Sequence, residues 1–136
     1  ELAHKNAQSK KGGPFGAVLA DANGKILGEG VNGITSRSDP TAHAEVMAIR
    51  QAAERLGRSD LSDCILYVSS EPTMIGRALI QSVGIATVYY GLSHAEVGQL
   101  RAKTAHLPET RYEQLGHDAA AAMFMEWAGL KDKVAD

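Results

Sequence analysis

The spacing of apolar positions changes several times along the chain, and each change marks an element. Residues 1–10 have helical composition and stop at Lys11-Gly12-Gly13-Pro14, a strong breaker. Phe15 to Ala20 reads as a strand. Asp21-Ala22-Asn23-Gly24-Lys25 carries Asn-Gly, a hairpin signal, and Ile26 to Val31 reads as the returning strand. A polar, Gly-bearing loop covers residues 32–38. Asp39 is expected to cap the next helix, with Pro40 at its first position, where a missing N–H costs nothing. Val46, Ile49, Ala53 and Leu56 recur at helical spacing as its buried stripe, and Gly57 ends it. Cys64 to Ser69 reads as a strand, Thr73 to Val83-Gly84 as a helix, and Ala86 to Gly91 as a strand. A helix is expected near His94 to Ala105, stopping before Leu107-Pro108. A last one covers about Asp118 to Leu130, with Met123, Trp127 and Leu130 on one side. Strands alternating with helices imply parallel crossovers, hence an α/β layered fold. No linker or low-complexity stretch interrupts the pattern, so residues 1–136 read as a single domain.

Bulk properties narrow the function. Hydrophobic content of 44% and charged content of 22% are those of a globular chain with one continuous core. Fourteen Lys and Arg against 16 Asp and Glu leave a net charge of −2. That balance gives no general attraction to nucleic acid or anionic membrane, so a small molecule is expected before a polynucleotide. One cysteine, Cys64, excludes an intramolecular disulfide and a Cys-rich metal site, and its apolar neighbours mark it as a buried structural thiol. No run of 18 apolar residues marks a membrane span, and the first residues resemble no signal peptide. A cytoplasmic location is the expectation.

The chemistry concentrates in two segments. The first is Asp39-Pro40-Thr41-Ala42-His43-Ala44-Glu45-Val46 and the second is Ser69-Ser70-Glu71-Pro72-Thr73-Met74-Ile75-Gly76. Zinc-dependent nucleobase deaminases pair H-x-E with P-C-x-x-C, so that one His and two Cys hold the metal while the Glu moves protons. His43 and Glu45 are the right residue types for the first half. Both can reach one point from a helix's first turn.

Several further segments stand in order around these. Gly13-Pro14-Phe15-Gly16-Ala17-Val18, Asn32, and Cys64 to Ser69 followed by Glu71-Pro72 match in type and separation. On these residues the chain resembles the cytidine deaminase superfamily, in its guanine deaminase and tRNA adenosine deaminase branch, over roughly residues 12–92. The resemblance implies an α/β/α sandwich around a mixed, five-stranded sheet, for which Arg111 to Leu115 is the one candidate fifth strand. It implies dimers or larger oligomers. It casts His43 as the zinc ligand, Glu45 as the catalytic proton shuttle and Asn32 as a substrate-binding amide. Phe15, with Ala44, Ser70 and Glu71, would line the base pocket.

The departure is as specific as the match. The two Cys positions read Thr73 and Gly76, and the Cys that commonly precedes Glu-Pro reads Ser70. A neutral hydroxyl replaces a thiolate poorly, and a lone His43 cannot hold zinc where three protein ligands are usual. The expectation is therefore a deaminase-fold protein with a degenerate zinc site and no cofactor. His43 survives as a residual metal position, and Thr73 joins the pocket lining. Such a protein would bind a nucleobase-like ligand without hydrolysis, or act as an oligomeric scaffold, and would form a homodimer. Two alternatives stand beside it. One is an active zinc aminohydrolase that recruits His94, Glu71 or a partner chain's residue. The other is a regulatory or structural subunit of an active deaminase. The echo His94-Ala95-Glu96-Val97 reads as an exposed helix start rather than a metal site. Trp127 with Met123 and Met125 reads as core or dimer surface.

Overall fold

The structure, a computed structural model, describes residues 1–100 and 109–131. They fall into two compact units, residues 1–100 and residues 109–131. The first holds α1 (Leu2–Gln8), β1 (Gly16–Asp21), β2 (Ile26–Val31), α2 (Ile34–Arg37), α3 (Ala44–Leu56), β3 (Cys64–Ser70), α4 (Met74–Ser82), β4 (Thr87–Leu92) and α5 (His94–Leu100). The second holds α6 (His117–Gly129). The continuation of α5 to Ala105 and its stop at Leu107-Pro108 lie outside the described residues.

The sheet order is β2-β1-β3-β4. β1 pairs antiparallel with both β2 and β3, and β3 pairs parallel with β4 through the α4 crossover. The register puts Gly28 and Gly30 of β2 opposite Leu19 and Ala17 of β1, which in turn face Leu66 and Val68 of β3. Alternation then assigns these residues to one face, and that face packs on α3. Leu19, Leu61 and Leu66 are fully buried there. Each contributes about 1.5–3 kcal/mol relative to exposure. On the other face Tyr67 and Tyr89 stack, with centroids 5.4 Å apart.

α3 lies very close to β2. A Cβ on Gly28 would come within 2.9 Å of the Ala52 nitrogen, and one on Gly30 within 2.5 Å of the Ala48 nitrogen. The helix meets these glycines with Ala44, Ala48 and Ala52, all buried. Small residues on both sides set the height of α3 over the sheet.

Several expectations are corrected. α3 starts at Ala44 with His43 as N-cap, four residues after Pro40. Asp39 instead accepts the Thr41 N–H and hydroxyl at 2.8 and 2.7 Å, closing a local turn before His43. Ala53 is only half-buried, because the stripe runs through Ala48 and Ala52. The loop after β2 contains the helical turn α2. Residues 111–115 form no strand, and this polar run is exposed, so the sheet among the described residues has four strands. The remaining elements begin and end within about two residues of their expected limits. Met123 and Trp127 of α6 and its C-cap Leu130 are exposed.

The close approach generates a stability prediction. Gly30→Ala should lower unfolding free energy by roughly 1–3 kcal/mol in urea titration, as overpacking does. Gly98→Ala has open space around it, sits inside α5 and should raise stability by up to about 1 kcal/mol. Equal effects of the two would contradict this account of the β2–α3 contact.

Candidate functional site

At the end of the sheet where β1 begins and the parallel strands β3 and β4 finish, a cavity of about 110 Å³ opens. Ligands in α/β folds commonly bind beyond the carboxyl ends of parallel strands. The volume is several times the roughly 10–15 Å³ that one water needs. Phe15, Asn32, His43, Ala44 and Glu45 line it, together with Ser70, Glu71 and Thr73. The whole set of residues expected from the sequence thus shares one space.

Two helix starts build the wall. His43 is the N-cap of α3 and is extended, at φ −70° and ψ 151°, which places Glu45 in the helix's first turn. Thr73 is the N-cap of α4, at φ −65° and ψ 168°. Its hydroxyl accepts the Gly76 N–H at 3.2 Å and donates to Glu45 Oε1 at 2.8 Å. The Thr73 N–H donates to the same oxygen at 3.1 Å. Glu45 is 6% exposed. A buried carboxylate needs such partners, and the positive end of a helix stabilises it further.

Gly76 explains why that carboxylate can stand where it does. A Cβ built on Gly76 would lie 2.5 Å from Glu45 Cγ and 2.7 Å from Cδ, and nearer still to Oε1. The Glu45 side chain occupies the space that a side chain at position 76 would need.

The mouth of the cavity is polar. Glu71 Oε2 accepts the His94 N–H at 2.8 Å, and the His94 ring lies 3.6 Å from the same oxygen. Arg77 pairs with Glu71 Oε1 and reaches the Pro72 carbonyl at 3.2 Å. The His94 N–H, then the His94 and Arg77 charges, hold the Glu71 carboxyl below its ordinary range.

Zinc of the kind the motif implies needs three protein donors and an open position. Among the described residues no three His, Cys, Asp or Glu side chains form a group able to hold a metal ion. The Thr73 hydroxyl is already engaged by Glu45 and Gly76, and position 76 offers no atom. The described residues therefore do not fit the ion. Cys64 starts β3 at its far end, about 20 Å along the strand from the cavity. Burial pushes its thiol up to about 11.

Sequence reasoning missed part of the lining. Gly16, Ile34, Val68, Ser69 and Val97 all border the cavity. Most are apolar or glycine and carry no chemical signal. His94, named from the sequence only for the active-hydrolase alternative, also lines it, two residues after β4. Glu96 does not: it accepts the Ser93 N–H and hydroxyl at 2.8 and 2.7 Å, closing a capping box.

The model of the cytidine and deoxycytidylate deaminase zinc-binding region matches residues 1–92. Guanine deaminase of Bacillus subtilis is 43% identical over 98 residues, covering 72% of this chain and 62% of that protein. A tRNA-specific adenosine deaminase of Haemophilus influenzae is 41% identical over 101 residues, covering 74% and 57%. The chain thus spans less than two thirds of these curated relatives. The X-ray structure of the Bacillus subtilis guanine deaminase superposes with a TM-score of 0.79 at 32% identity, over 98% of this chain and 92% of that one. A variant of NE0047 in complex with 8-azaguanine gives a TM-score of 0.69 at 25% identity, over 73% and 57%. With the motif order, the α/β/α fold and the match over residues 1–92 in agreement, the chain belongs to the cytidine and deoxycytidylate deaminase family.

Proposed function

We propose that this chain binds a purine-like heterocycle in its cavity and does not run the zinc-dependent hydrolysis of its relatives. The observation that carries this reading is the position of Glu45. Hydrolytic deamination needs a water activated by a metal with an open site, and a carboxylate free to move protons from it. Here Glu45 Oε1 is held by both Thr73 donors in the space beside Gly76. The metal donors at positions 73 and 76 are a hydroxyl and nothing.

The ligand class follows from what remains. Phe15 offers an aromatic wall, Asn32 an amide, and Glu45 and Glu71 acceptors, a set suited to a flat ring edged with N–H groups. The 8-azaguanine held by the NE0047 variant supports the purine class. Self-association belongs to the same reading, since α6 exposes Met123, Phe124 and Met125 in one stretch. One observation favours a second reading, hydrolysis on unusual ligands: His94 borders the same cavity as His43.

Two predictions test this. Titration calorimetry of chelator-treated protein should show saturable binding of 8-azaguanine or guanine. Ammonia release from guanine, adenine or cytosine should stay at background with zinc supplied. Ammonia release that is lost in Glu45→Gln would overturn the proposal and establish the second reading.

Thr73→Ala removes the α4 cap and a hydrogen bond to a buried carboxylate, and should cost about 2–3 kcal/mol in chemical denaturation. Thr73→Ser keeps both bonds and should stay within about 0.5 kcal/mol of the parent. Equal stability of the alanine and serine variants would show that the Thr73–Glu45 bond does not hold the site.

A further inference from the structure

Among the described residues two polar or charged side chains are buried, Glu45 and Asn6. The first belongs to the site already described. Asn6 lies on α1, is 7% exposed and does not border the cavity. Its amide nitrogen spends both N–H groups on main-chain carbonyls far apart in sequence. One is Gly13 at 2.9 Å and the other Asn32 at 3.0 Å.

Those carbonyls belong to the two loops that carry Phe15 and Asn32 to the cavity. The Gly13 oxygen also accepts the Phe15 N–H at 2.8 Å, and the Asn32 N–H donates to the Phe15 oxygen at 3.1 Å. Phe15, Asn32 and the Asn6 amide are thus joined in one closed circuit of hydrogen bonds. Gly12 packs beside it with no space to spare. A Cβ there would come within 2.7 Å of Asn6 Nδ2 and closer still to the Asn32 oxygen.

We propose that Asn6 is a positioning residue for the ligand cavity. Its buried amide fixes the two loops that present the Phe15 ring and the Asn32 amide, and so sets affinity without touching the ligand. Without the amide, the partly buried Asn32 carbonyl loses its Asn6 donor, and the Gly13 carbonyl keeps only the Phe15 N–H, so the tie between the two loops is lost. This inference rests on the ligand-binding reading above.

The test is a double-mutant cycle with 8-azaguanine as the calorimetric probe. Asn6→Ala should weaken binding about tenfold, the scale of one or two net hydrogen bonds. In an Asn32→Ala background the same change should weaken it by less than about threefold, because one of the two groups it positions is gone. Gly12→Ala pushes on the same carbonyl and should reproduce the tenfold loss. It carries the cycle if Asn6→Ala does not fold. In ligand-free protein, hydrogen exchange at the Phe15 and Asn32 amides should accelerate in Asn6→Ala, while β3 amides keep their protection. Equal losses with and without Asn32 would overturn the inference, and so would unchanged binding in both Asn6→Ala and Gly12→Ala. A parent chain that binds no 8-azaguanine defeats the ligand reading instead. The exchange rates at Phe15 and Asn32 then still decide whether Asn6 holds the loops.

Discussion

A single carboxylate in a confined space governs this site. Glu45 enters from the first turn of α3 and ends at the first turn of α4, where Thr73 supplies two donors to one oxygen. Three conditions make that arrangement possible. Position 76 must be bare, position 73 must donate, and the two helix starts must lie within a side chain's reach. The first two are met by Gly76 and Thr73, which stand where the resemblance to the deaminase motif would place its sulfurs. A bare position 76 and a hydroxyl at position 73 thus provide room and a partner for the acid. A buried Glu left without either would carry a desolvation cost of several kcal/mol.

The third condition is set by the scaffold. α3 rests on the glycines of β2 through alanines, with contacts too close for any side chain between them. That packing fixes where the helix begins relative to the sheet end. α4 is fixed by its crossover between the parallel strands β3 and β4, with Ile80 in the core below it. Interiors packed at this density transmit position well, so the geometry at the cavity is inherited from apolar contacts deeper in the sheet.

Much of this was legible in the chain, and the failures have physical causes. Asn23-Gly24, Gly57 and Thr73 are punctuation with one conformational meaning, and the elements they bound came out close to expectation. Asp39 and Pro40 carry two meanings, because an aspartate closes a local turn as readily as it caps a helix, and here the turn won. The alanines of α3 were hard to rank, since a pattern of large apolar residues does not show which small ones face a glycine. At the site, the residues singled out from the sequence border one cavity. Two things there were not legible. The clash between Glu45 and a Cβ at position 76 depends on a side-chain conformation, and the Asn6 clamp joins groups 7 and 26 residues apart. Neither leaves a periodic trace.

The central claim is that the Glu45 carboxylate, not a metal, organises the space between the two helix starts. Crystals soaked in excess zinc and measured at the zinc absorption edge test it most directly. The account predicts no anomalous peak beside His43, with Glu45 Oε1 still within hydrogen-bond distance of both Thr73 donors. A tetrahedral ion on the His43 ring, with Glu45 swung away from Gly76, would contradict it.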